Sequence, residues 1–195
     1  MKTNQFKFES FPMLRAIPLA LTAALAFSAP AHALQAENLL VTKPKAYKVG
    51  FQKKSAKEMM SEWVPDGESV NDWTEMVTVQ IFFNLRDVTP AQYRARMEKL
   101  WGDACPGSQV RNVNQGAESL YPTMTWALRC PANPKTGTPE YTWMKAVQGR
   151  DSFYLVQKAY KFEPTAEQVA SWARFLDDVR VCDTRVPAQS CPKGM

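Results

Sequence analysis

The sequence predicts an α+β fold: an antiparallel sheet with two main helices packed on it, stapled by disulfides. Three observations point there. Several segments alternate apolar and polar residues at the period of a strand, and two others carry capping signals followed by helical spacing. Four cysteines form an even set. The order is strands, helix, antiparallel strands, helix, with no repeat and no low-complexity linker to divide it.

Leu39, Leu40 and Val41, and then residues 47–52, read as short strands separated by the breaker Pro44. Residues 59–64 make a third, ended by the turn signal Pro65-Asp66-Gly67. The clearest strand is Glu75–Phe83, where Val77, Val79, Ile81 and Phe83 share one face and Thr78 and Gln80 the other. Thr89-Pro90 opens a helix, with threonine as N-cap and proline at the first helical position. Tyr93, Met97, Leu100 and Trp101 follow at helical spacing, and Gly102 or Pro106 ends the run.

Residues 109–113 and 123–130 are extended, joined through Asn114-Gln115-Gly116, and the proline-rich stretch 131–139 is a loop. Residues 141–148 and 153–162 flank Gly149-Arg150-Asp151-Ser152 as a hairpin. On its second arm Tyr154, Val156, Lys158 and Tyr160 share one side, and Phe153, Leu155, Gln157 and Ala159 the other. Neither side is wholly apolar, which predicts a sheet with one covered and one partly open face. Thr165 and Gln168 form a capping box for the second helix, whose apolar stripe is Val169, Trp172, Ala173, Leu176 and Val179.

Residues 1–33 read as a signal peptide. Arg15 precedes an apolar run of about 14 residues, and Ala31-His32-Ala33 is an Ala-x-Ala cleavage site. The run falls short of the ~20 residues a spanning helix needs, so the alternative of a membrane anchor fits less well. The product, residues 34–195, is expected to be a single globular domain, periplasmic or secreted, with no transmembrane segment. His32, the one histidine, leaves with the leader, which removes histidine-assisted nucleophiles and histidine-built zinc sites together. No glycine-rich phosphate loop, Gly-x-Ser-x-Gly elbow or metal-ligand cluster is present, so no cofactor and no metal are expected.

The formal charge of +5 becomes +3 once Lys2, Lys7, Arg15 and Glu9 are removed, which is no nucleic-acid footprint. The lysines thicken only at Lys43, Lys45, Lys48, Lys53, Lys54 and Lys57. They form either a solvated face or a contact for an anionic polymer or lipid. In an oxidising compartment Cys105, Cys130, Cys182 and Cys191 pair as disulfides, in one of three possible ways. Cys105–Cys130 would tie a helix end to a later strand, and Cys182–Cys191 would fold the tail back onto the last helix. These two are the expected pairs.

Chemistry concentrates in residues 62–75, with five carboxylates and two tryptophans around a turn. The candidate binding residues are Glu62, Trp63, Asp66, Glu68, Asp72 and Trp73. Either the tryptophans pack beneath a wet acidic loop, or the loop holds a basic partner, a cation or a sugar. Without histidine a hydrolase would rely on paired carboxylates. The spacing does not fit a calcium loop.

Two segments carry a resemblance. Glu62-Trp63-Val64-Pro65-x-Gly67-Glu68 with Trp73-x-x-Met76-Val77-Thr78-Val79-Gln80 is one. Phe153-Tyr154-x-Val156-Gln157-Lys158-Ala159-Tyr160 with Phe162-Glu163-Pro164 is the other. Together they resemble a pattern in small exported bacterial proteins, and the order of elements is similar to PsbP/Mog1-type domains. That resemblance implies a binding or assembly factor without a shared catalytic site, and it transfers no residue roles. The expected function is therefore a non-enzymatic periplasmic protein that binds a macromolecular partner in the cell envelope, as an accessory factor or as an inhibitor or immunity protein. The alternatives are a carboxylate-type glycan hydrolase and a small-ligand carrier.

Overall fold

Glu75–Phe83 forms a strand over its full expected length and lies beside the middle of a seven-stranded sheet. The computed structural model describes residues 36–118 and 120–192, and the expected leader lies outside them. In chain order the strands are β1 (Glu37–Leu40), β2 (Tyr47–Lys54), β3 (Glu58–Pro65) and β4 (Glu75–Phe83), followed by helix α1 (Pro90–Ala104). Then come β5 (Gln109–Glu118), β6 (Tyr121–Cys130), β7 (Glu140–Gln148) and β8 (Ser152–Tyr160), helix α2 (Ala166–Asp178) and β9 (Arg180–Asp183).

The large sheet has the order β2-β3-β4-β8-β7-β6-β5 and every neighbouring pair is antiparallel. It is two meanders, β2-β3-β4 and β5-β6-β7-β8, zipped together along β4 and β8. The register there sets Val77 opposite Lys158, Val79 opposite Val156 and Ile81 opposite Tyr154.

The two helices cover opposite faces. Tyr93, Met97 and Trp101 of α1 pack on Trp126, Leu128, Met144, Phe153 and Leu155. Trp172, Phe175 and Leu176 of α2 pack with Trp63, Val77, Val79 and Val156 on the other side. Every residue of β8 except Gln157 is consequently buried. The partly open face expected from Lys158 and its neighbours is not found, because a lysine read as a solvent marker lies inside the second layer with its charge paired.

Both helices start as predicted. Thr89 and Thr165 cap them, and each side chain accepts from the backbone N–H of a glutamine three residues on, Gln92 and Gln168. Each glutamine side chain bonds back to the cap, which satisfies two of the donors a helix start leaves open.

Two local readings need correction. Strand β5 runs straight through Asn114-Gln115-Gly116, which pair with Thr125, Met124 and Thr123. The irregularity sits earlier, as a register shift between Arg111 and Asn114 with Asn112 at a φ of 50°. A bulge at Asn112 and Val113 takes up the extra residues, and the polar residues that looked like a turn stay in the ladder. The second difference is β9, a strand directly after α2, which pairs with β1 in a separate antiparallel ribbon from Glu37↔Asp183 to Leu40↔Arg180. Both expected disulfides are present: Cys105–Cys130 joins the C-terminal end of α1 to the end of β6, and Cys182–Cys191 closes the segment after β9.

Candidate functional site

The acidic tryptophan segment divides into a strand part and a loop part. Within β3, Glu62 pairs opposite Thr78 and Trp63 opposite Val77, so successive side chains point to opposite faces. Trp63 is buried in the α2 layer, and its Nε1–H donates to Ser61 Oγ at 2.8 Å. Burial pushes the Glu62 carboxyl above its ordinary value. The turn follows: the Asp66 N–H donates to the Ala46 carbonyl at 2.8 Å, and Gly67 takes a φ of 93° that favours glycine.

Glu68 folds back across the loop. Its two carboxylate oxygens accept from the Thr74 N–H at 2.8 Å and the Thr74 hydroxyl at 2.6 Å. Burial raises this carboxyl, but the Thr74 bonds, the Glu75 backbone and the charge of Lys158 outweigh it and hold it below the usual range. Ser69 and Asp72 exchange backbone hydrogen bonds at 3.1 Å. Trp73 is half-buried with the Lys161 ammonium 4.3 Å from its ring centre. The loop thus gathers Asp66, Glu68, Asp72 and Trp73, of which Asp66 and Asp72 are exposed. Glu62 and Trp63 belong to the strand beneath and diverge from each other.

Glu75, the last acid of the stretch, does something composition did not indicate. Its Oε2 lies 2.6 Å from the ammonium of Lys158, whose side chain is 0% exposed, and accepts from the Tyr47 hydroxyl at 2.7 Å. The lysine also donates to the Tyr47 oxygen at 2.8 Å. Three rings enclose it: Trp172 at 4.1 Å, Tyr160 at 4.4 Å and Tyr47 at 5.1 Å. Burial drives Lys158 down to about 8, against the opposing pull of Glu75 and Glu68. Burial and the neighbouring Glu75 push the Tyr47 phenol up. A desolvated cation over aromatic faces gains about 2 kcal/mol. Fully buried and paired, this ammonium acts as a pin joining β2, β4, β8 and α2. The signal available in the sequence was Lys158 sharing a side with Tyr154, Val156 and Tyr160.

Two further polar anchors hold the second layer. Lys145 donates to the carbonyls of Leu176 and Val179 at the end of α2, at 3.0 and 2.5 Å, and pairs with Glu118 at 2.7 Å. A cation there complements the helix dipole. Glu37 of β1 is cradled by the β7–β8 hairpin, accepting from the N–H groups of Arg150, Asp151 and Ser152 and from the Tyr154 hydroxyl at 2.7 Å. Arg185 adds a clamp between Asp151 and the buried Asp183, both at 2.7 Å.

The six lysines are exposed, and Lys48, Lys53 and Lys54 lie on β2. That strand pairs only with β3 and forms one edge of the sheet. It is the most open backbone near the acidic loop: Val49 and Phe51 are 51% and 38% exposed. No helix among the described residues is long and apolar enough to cross a membrane.

No family model and no curated protein matches this chain. Among solved structures it is similar to the solution structure of the cyanobacterial PsbP (CyanoP) from Synechocystis sp. PCC 6803. The identity is 13% and the TM-score 0.45, covering 77% of this chain and 92% of that one. It is also similar to a mutant of the protein Mog1, at 13% identity and TM-score 0.42 over 70% and 78% of the two chains. The Saccharomyces cerevisiae Ran-binding protein Mog1p matches at 12% identity and TM-score 0.40, over 73% and 85%. The likeness to PsbP/Mog1-type domains is one of fold alone.

Proposed function

We propose that this is a non-enzymatic exported protein that binds a macromolecular partner in the cell envelope, as an accessory factor or as an inhibitor or immunity protein. The observation that supports this reading most is the open edge of β2, eight residues long, beside the acidic loop. An extended segment of a partner adds to such an edge through main-chain hydrogen bonds. Lysines on an edge strand normally block pairing. Here Lys48, Lys53 and Lys54 would repel a second copy while favouring a partner strand that carries acids. Within the loop Glu68 is engaged by Thr74 and Trp63 is in the core, which leaves Asp66, Asp72 and Trp73 as the loop residues offered to a partner.

The test is mild crosslinking and affinity capture from periplasmic extract, with the unmodified protein and with Val49→Asp, Phe51→Asp, Asp66→Lys and Trp73→Ala. A stoichiometric partner captured by the unmodified protein and weakened by the β2 variants, at unchanged thermal stability, is the expected result. Capture of nothing, or of a partner indifferent to all four changes, overturns the reading.

A further inference from the structure

A groove of about 280 Å³ lies at the other end of the sheet, where β5, β6 and β7 meet the start of α2. Arg111, Asn112, Arg129, Tyr141, Trp143 and Glu163 line it. The β6 strand is five strand spacings from β2, about 24 Å. This site therefore stands or falls apart from the edge described above.

Arg129 is the informative residue. It is half-buried, its Nε–H donates to the Tyr141 hydroxyl at 3.1 Å, and its guanidinium carbon lies 5.4 Å from the centre of that ring. These contacts hold the guanidinium beside Tyr141 and engage its Nε. No carboxylate pairs with it among the described residues, although each of the buried lysines has one. A guanidinium anchored through Nε, with its two terminal nitrogens unbonded among the described residues, can offer them to the two oxygens of a carboxylate. Arg111, tied by one nitrogen to Gln109 at 2.5 Å, adds a second positive charge on the same wall. Trp143 and Tyr141 supply aromatic surface, and Asn112 and Glu163 supply hydrogen-bonding groups at the rim. Glu163 also weighs against a dianion. The volume is at the small end of ligand pockets and suits one ring-sized group.

We infer that this groove binds a ring-bearing organic carboxylate, its carboxylate on Arg129 and its ring against Tyr141 and Trp143. Uronic-acid sugars and aryl carboxylates share that chemistry, and the probes separate them. The disulfide-bonded protein is titrated with glucuronate, benzoate, glucose and inorganic phosphate while the Trp143 indole N–H resonance is followed by NMR. Saturable shifts with glucuronate or benzoate are expected, whichever is tighter naming the ring type, with glucose and phosphate at least tenfold weaker. Arg129→Met abolishes the shift, and Arg129→Lys weakens binding about tenfold because an ammonium cannot reproduce the fork. Glu163→Gln narrows the gap between phosphate and the carboxylates. The inference fails if neither acid saturates by about 20 mM, a range that covers affinities typical of such small probes. It also fails if glucose binds as well as glucuronate. Should Arg129→Met not fold, unaltered binding by Arg129→Lys is equally decisive against it.

Discussion

Removing the carboxylate charge beside Lys158 should cost more than removing the lysine itself. The ammonium is 0% exposed whereas the Glu75 side chain is 22% exposed, so the two partners are unequally able to stand alone. In Glu75→Gln a buried cation loses its counter-charge, a change that costs about 3–5 kcal/mol in buried pairs. Lys158 escapes the upper end of that range by releasing its proton. In Lys158→Met the carboxylate keeps the Tyr47 hydroxyl and reaches water, and the methionine fills the aromatic cage. That variant should lose about 1–2 kcal/mol.

The pH dependence separates these mechanisms. In the unmodified protein Lys158 sits at about 8 against an ordinary lysine near 10.5, so its charge opposes folding. From pH 8 upward the unfolded chain binds more protons at this site than the native one, and stability rises with pH until the ordinary lysine value. Loss of Glu75 moves the native value lower still. The rising limb then begins below pH 7, with a slope approaching 1.4 kcal/mol per pH unit. Urea denaturation with intact disulfides between pH 6 and 9 measures this directly. Glu75→Gln should lose about 3 kcal/mol at pH 6 and less at pH 9, and Glu75→Gln/Lys158→Met should be more stable than Glu75→Gln alone. A Glu75→Gln variant no worse than Lys158→Met, or with a pH profile parallel to the unmodified protein, would refute the description of Lys158 as a charged, caged pin.

Two other outcomes follow from the ribbon and its clamp. A Cβ at Gly149 would collide with the Glu37 carboxylate, so Gly149→Ala should expel that carboxylate from the hairpin and expose β1 to limited proteolysis. Glu37→Ala should do the same, and Gly149→Ala/Glu37→Ala should be no worse than either; additive losses would show that the two act separately. The Arg185 bonds hold the Asp183 carboxyl at about 2 against the opposing effect of burial, so its contribution is present above pH 4 and disappears as pH falls from 4 to 2. That contribution is about 2 kcal/mol, and Asp183→Asn should flatten the acid limb of urea midpoints measured from pH 2 to 5.

The parts of the fold that the sequence announces are those set by local chemistry. Thr89-Pro90 and Thr165 with Gln168 declare their helices because capping is settled within four residues. The alternation of Val77, Val79 and Ile81 declares β4 for a similar reason. Which helix covers which face is not a local property. It depends on β8 pairing with β4 across 69 to 85 residues, and Lys158 disguised the outcome by being polar yet buried. The same holds for the candidate site. The acids and tryptophans of residues 62–75 are visible as a cluster, but the division into core Trp63, loop-bound Glu68 and ion-paired Glu75 rests on Ser61, Thr74 and Lys158. Arg129 gave no signal, since its contact with Tyr141 exists only once β6 and β7 are paired.

The ribbon of β1 and β9 brings together the first and last strands described, with Glu37 aligned on Asp183. A chain emerging from the ribosome makes Glu37 early and waits nearly a hundred and fifty residues for its partner. The ribbon over the α2 layer therefore cannot close until β9 has been made. That order leaves the 182–191 cross-link as a late closing step.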